Sequence, residues 1–140
     1  MTETPDLELR QILLETRSIA VVGIKAKPSE DAFRVPQYLQ QQGYRIVPVS
    51  PKLESVLGEP AVTGLDQAPG PIDLVNLFRA SDHIPGHADE ILAMSPQPRA
   101  VWMQLGIRHE AAAARLRAAG IQVVQDRCIM VDHRRLRVTL

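Results

Sequence analysis

An apolar run that stops at a glycine, Ser18-Ile19-Ala20-Val21-Val22-Gly23, is followed by a helix-like stretch and a second apolar run, Arg45-Ile46-Val47-Pro48-Val49. Short, wholly apolar runs suit strands buried on both faces, and two parallel strands need a long crossover between them. The pair therefore reads as the start of a βαβ unit, whose first strand-to-helix turn comes close to a phosphate. The tip of the second strand is where such units read an adenosine ribose. An NAD site wants Asp or Glu there, to bond the free 2′-hydroxyl. This chain has Ser50-Pro51-Lys52 instead. A cation at that tip suits a ribose that carries a phosphate, so the pattern points to an adenine nucleotide other than NAD.

The alternation of strand and helix continues. Leu7, Leu9, Ile12, Leu13 and Leu14 recur at helical spacing and predict a helix over 6–15, with Asp6 as its N-cap. Val35, Tyr38 and Leu39 mark one face of a second helix that stops at Gly43, with Pro36 near its start. Residues 51–71 hold four prolines and three glycines, and predict an extended connection with one short helical turn at Leu65–Gln67. Strands are expected over 72–78, 100–104 and 121–124. One helix is expected through Ile84, Ala88, Ile91 and Leu92, and another over 109–119 closed by Gly120. Residues 137–140 read as a further extended piece. The pattern predicts one α/β domain over 1–140: a Rossmann-like, three-layer α/β/α fold with a mostly parallel sheet of about five strands. The N-terminal helix is expected to cover one edge of that sheet.

Sixteen basic and 16 acidic side chains cancel. That balance argues against broad attraction to nucleic acid or to an anionic membrane, so any anion site must be local. A single cysteine, Cys128, excludes an internal disulfide and a cysteine-based metal cluster. The acidic, polar start Met1-Thr2-Glu3-Thr4-Pro5-Asp6 is unlike a signal peptide, and no apolar run reaches membrane-spanning length. A cytoplasmic location is the expectation. His83 and His87 stand four apart, a spacing that could hold a metal, but no metal motif surrounds them and they read as a solvated helix face. No nucleophile triad or phosphate-binding P-loop pattern is present.

Taken together, Ile19-Ala20-Val21-Val22-Gly23, Pro28-Ser29, Arg34-Val35, Tyr38-Leu39, Gly43-Tyr44, Val49-Ser50-Pro51-Lys52, Gly58, Asp73, Phe78-Arg79, Val101-Trp102-Met103-Gln104-Leu105-Gly106-Ile107 and Asp126-Arg127-Cys128-Ile129 carry a resemblance. The chain resembles small, single-domain coenzyme A-binding proteins, which are similar to the CoA-binding domain of succinyl-CoA synthetase alpha subunits. The resemblance covers roughly residues 17–131. It departs from the family pattern at Ser50, where Asn is usual. Only Gly23 stands where dinucleotide enzymes use three glycines.

The resemblance implies that coenzyme A or an acyl-CoA binds at the carboxyl edge of the sheet, with recognition rather than reaction. Gly23, Ile24, Lys25 and Ser29, with Arg34 at the following helix start, are expected around the pyrophosphate. Ser50, Pro51 and Lys52 are expected at the adenosine, with Lys52 on its 3′-phosphate. Phe78 and Arg79 end the third strand and are expected to face the cleft. Gln104, Gly106 and Ile107 are expected at the pantetheine, where free N–H groups and the helix from about His109 could also meet an anion. Trp102 reads as core. Cys128 reads as a small buried residue that would lie near the CoA thiol if it faced the cleft. Two alternatives stay open: a small NADP-dependent oxidoreductase, and a CoA-sensing regulatory subunit of a larger acyl-CoA enzyme. A protein partner is compatible with either form of the CoA reading.

Overall fold

A computed structural model describes residues 4–139. Its elements run α1 Asp6–Glu15, β1 Ser18–Val22, α2 Asp31–Gln41, β2 Arg45–Val49, β3 Ser55–Val56, β4 Glu59–Pro60, β5 Leu74–Leu77, α3 Ile84–Leu92, β6 Ala100–Met103, α4 Glu110–Ala118, β7 Gln122–Val124 and α5 Ile129–Arg135. Single 3₁₀ turns lie at Leu65–Gln67 and Ser81–His83.

Five strands form one sheet in the order β2-β1-β5-β6-β7, and every pair in it is parallel. This is a doubly wound, Rossmann-like α/β sheet, as the alternating pattern predicts. The strands are largely apolar because both faces are covered. On one face Ala20, Val22, Val75, Leu77, Val101 and Met103 pack with Ile84, Ile91 and Leu116 of α3 and α4. On the other, Ile19, Val21, Ile46 and Trp102 pack with Leu9 and Leu13 of α1, Leu39 of α2 and Ile129 of α5. Trp102 is buried and its Nε1 donates to the Arg127 carbonyl at 2.9 Å.

Four expectations need correction. Helix α1 lies on a face of the sheet rather than along an edge. Asp6 is its first helical residue, not its cap; the cap position is Pro5, and the Asp6 carboxylate instead takes both Arg135 nitrogens at 2.9 Å. Residues 137–139 form no strand, Arg137 having φ 53° after the end of α5; Leu140 lies outside the described residues, as do Met1 to Glu3 of the N-terminal stretch. The sequence pattern does not reveal helix α5, because its inward, otherwise apolar face is interrupted by the buried Asp132 and His133.

The connection after β2 is more ordered than its prolines imply. Its β3–β4 hairpin turns on Leu57 and Gly58, with φ of 57° and 76°. Both values suit a tight two-residue turn. The chain then returns to the sheet edge, where Val62 bridges Val49 in parallel. Val62 N–H donates to the Pro48 carbonyl at 3.0 Å, and Ser50 N–H donates to the Val62 carbonyl at 2.8 Å. The return carries Thr63 and Gly64 to the carboxyl end of β2.

Candidate functional site

Parallel register builds the platform. Val22 lies level with Val49 and Leu77, and Leu77 lies level with Met103. The next residues, Gly23, Ser50, Phe78 and Gln104, therefore stand side by side at the carboxyl ends. Backbone bonds fix them: Gly23 N–H to Val49 O at 3.1 Å, Phe78 N–H to Val22 O at 2.9 Å, and Gln104 N–H to Leu77 O at 3.2 Å. Between β1 and β5 the strand order reverses direction, and ligands of such sheets bind outside the carboxyl ends at that point.

Two cavities open there. The smaller, of about 190 Å³, lies over β1 and β2 and is lined by Gly23, Ile24, Lys25, Ser50, Pro51, Lys52, Thr63, Gly64, Arg79, His87 and Glu90, among others. The larger, of about 460 Å³, lies over β1, β5 and β6, against α2 and α5. Lys25, Arg34, Phe78, Gln104, Ile107 and Cys128 line it. Gly23, Lys25 and Arg79 border both, so the two adjoin. A groove of about 520 Å³ also lies at the opposite end, between α1 and the start of β7, away from the switch point.

Gly23 is required by the backbone alone. Its φ is 86°, and a Cβ there would collide with the Phe78 carbonyl oxygen and come within 3.1 Å of Arg79 Cδ. Its N–H is taken by Val49. The loop that follows is tied to α2 through a proline. Pro36 is the sixth residue of α2, further inside than expected, and it offers no N–H to the Ala32 carbonyl one turn back. Lys25 N–H fills that vacancy at 3.1 Å. The amides of Ile24, Asp31 and Ala32 have no acceptor among the described residues and sit around the loop–helix junction. The Ile24 side chain is only 1% exposed and belongs to the core, so this residue meets the cavity through its backbone. Arg34 pairs with Asp31 one turn away, which accounts for a cation near a helix start without a ligand. Ser29 is exposed and lines neither cavity.

Ser50 is 6% exposed, and its Oγ accepts the Lys52 N–H at 3.1 Å. Its role is to shape the Pro51-Lys52 turn, as an Ser/Thr-type local bond does. Lys52 itself is exposed at the cavity rim. The side-chain cations of Lys25, Lys52 and Arg79 make no hydrogen bond or ion pair among the described residues, in a chain whose formal charges cancel. Three unpaired cations thus border one pair of cavities.

Gln104 is 5% exposed and lines the larger cavity. Its Oε1 accepts the Ile129 N–H at 3.0 Å and Asn76 Nδ2 at 3.3 Å. The oxygen is thereby held inward, and the Nε2 hydrogens have no acceptor among the described residues. The turn after it departs from expectation. Gly106 N–H donates to Asp126 Oδ1 at 2.6 Å, and Ile107 N–H donates to the Gln104 carbonyl at 2.9 Å. Gly106 lines neither cavity, and neither amide is free for an anion. At the start of α4, His109 Nδ1 caps the Ala112 N–H at 3.1 Å. His87, expected with His83 on a solvated helix face, instead lines the smaller cavity, where its Nδ1 lies 2.6 Å from Glu90 Oε1. One turn of helix sets the spacing of His87 and Glu90, but only the packing of α3 against the 3₁₀ turn Leu65–Gln67 reveals their place at the cavity.

Comparison with known proteins agrees with this geometry. A family model described as the CoA binding domain matches residues 17–134. YneT of Bacillus subtilis is 39% identical over 126 residues, covering 90% of this chain and 92% of its own. A solved structure from Thermus thermophilus is 43% identical with a TM-score of 0.89, covering 95% of this chain and 99% of that one. One from Pyrococcus horikoshii is 32% identical with a TM-score of 0.90, covering 98% and 99%. A match spanning nearly all of the sheet and both cavities places this chain in the CoA binding domain family.

Proposed function

We propose that this chain binds coenzyme A across the two adjoining cavities, as a recognition module rather than a catalyst. The observation that carries the reading is the set of three unpaired cations, Lys25, Lys52 and Arg79, around a bipartite cleft in a chain of zero formal charge. Coenzyme A has a compact phosphorylated nucleoside, an anionic pyrophosphate and a long amide-bearing arm. The smaller cavity takes the adenosine, with Lys52 at its 3′-phosphate. Lys25 and Arg79, where the cavities meet, face the pyrophosphate together with the amides of Ile24, Asp31 and Ala32 at the start of α2. Phe78 and the Gln104 amide serve the arm in the larger cavity.

Calorimetric titration with CoA, dephospho-CoA, NADP and NAD tests this. CoA is expected to bind in the micromolar range and NAD not at all. Lys52→Ala is expected to weaken CoA by about tenfold, the worth of one exposed charge-assisted contact, and to leave dephospho-CoA nearly unchanged. Equal weakening of both ligands removes Lys52 from the 3′-phosphate. Binding of NADP alone replaces the reading with that of a reductase.

A further inference from the structure

The larger cavity is two-sided. Toward β1 and α2 it carries Lys25 and Arg34; toward β6 and α5 it is apolar. Leu105 is 70% exposed and Val131 is 51% exposed, and both stand at the apolar rim of this one cavity. Ile107 and Met130 continue the apolar wall inward. Beside that wall lies the Gln104 amide. Ile129 N–H and Asn76 Nδ2 hold its oxygen, so its free Nε2 hydrogens are turned to the cavity it lines. A fixed donor next to an apolar wall, reached from a cationic junction, matches a carbonyl followed by a hydrocarbon chain. An acyl group bearing a carboxylate would place its charge against Leu105 and Val131, and Arg34 is already paired with Asp31.

We infer that the apolar end of the larger cavity is an acyl subsite, and that the ligand class is an uncharged aliphatic acyl-CoA rather than free CoA or a dicarboxylic thioester. This rests on the CoA reading above and names the group at the far end of the same ligand. Gln104 Nε2 donates to the thioester carbonyl, and Leu105, Met130 and Val131 cover the chain.

The test is calorimetry with CoA, acetyl-CoA, butyryl-CoA and succinyl-CoA. Burial of one methylene is worth about 0.8 kcal/mol, or roughly a fourfold gain in affinity. Butyryl-CoA, two methylenes longer, is therefore expected to bind about 15-fold tighter than acetyl-CoA, and succinyl-CoA no tighter than free CoA. Val131→Asp, at an exposed helix position, is expected to abolish the butyryl gain and keep the affinity for free CoA. Leu105→Ser is expected to do the same from the neighbouring element. Equal affinity for CoA and butyryl-CoA, or succinyl-CoA as the tightest ligand, overturns the subsite and leaves CoA binding standing. Failure of CoA and every thioester to bind overturns the reading beneath it as well.

Discussion

Gly23 shows how one residue can shape a site through its backbone conformation alone. Its positive φ and the absence of a Cβ let the β1 carboxyl end lie against the Phe78 carbonyl. Gly23→Ala is expected to lower unfolding free energy by about 2–4 kcal/mol, the sum of backbone strain and a steric clash, as read from urea denaturation. Buried Asn76 is the companion case. Its Nδ2 donates to Trp102 O at 3.1 Å and reaches Gln104 Oε1 at 3.3 Å, while its Oδ1 has no partner among the described residues. A polar residue in the middle of a buried strand is unfavourable unless bonded, and here it orients the amide of Gln104. The residue types at the cleft were legible in the sequence: Lys25, Lys52, Phe78, Arg79 and Gln104 all line a cavity. Their division of labour was not. Gly106 lines neither cavity and its N–H is taken by Asp126 Oδ1, whereas Ser50 lines the smaller cavity while its Oγ also accepts the Lys52 N–H.

At the scale of elements, strand and helix periodicities predicted all five sheet strands and the first four helices, because those segments are either mostly apolar or one-sided. What escaped were pieces whose order comes from tertiary contact. The β3–β4 hairpin turns on Leu57-Gly58 rather than on Asn-Gly, and its Leu57 carbonyl is held by Gln40 Nε2 at 2.9 Å from α2. Helix α5 buries Asp132 because Arg127 meets it in a two-pronged pair, at 2.6 and 2.9 Å. The proline of α2 makes a testable link between element and site. Pro36→Ala supplies the missing N–H, which competes with Lys25 for the Ala32 carbonyl. The Lys25 amide is then expected to exchange with solvent about fivefold faster, the worth of about one net hydrogen bond, as followed by NMR hydrogen exchange. An unchanged rate removes Pro36 from the control of this loop.

Across the whole molecule, the layer of α1, α2 and α5 is held together by polar groups as well as by its apolar cluster. Tyr44 OH donates to the Leu13 carbonyl at 2.7 Å, and Arg135 joins Asp6 to Asp132. His133 of α5 bonds Tyr38 OH through Nδ1 at 2.7 Å, lies edge-on to Tyr38 and Tyr44, and has Arg134 nearby over the Tyr38 ring. Burial pushes the His133 imidazole below its ordinary value of 6.5. The folded protein keeps it neutral where the unfolded chain takes a proton, so its contribution is complete above that value and is lost as pH falls below it. The thermal midpoint is expected to drop between pH 7.5 and pH 5, and His133→Gln is expected to flatten that drop. Asp6 and Glu110, held below their ordinary values of 3.8 and 4.5 by bonds from Arg135 and from Gln125 and Arg108, act in a separate, more acidic window. A midpoint independent of pH across the first window refutes the burial effect at His133. The return of Val62 to the sheet has a reach beyond the cleft. A parallel sheet ends in open strands that invite a second molecule to continue it. At the β2 margin the outward groups of Pro48 and Ser50 are already engaged by Val62, so the loop that brings Thr63 and Gly64 to the smaller cavity also shields this part of the sheet's flank against fibrous self-association.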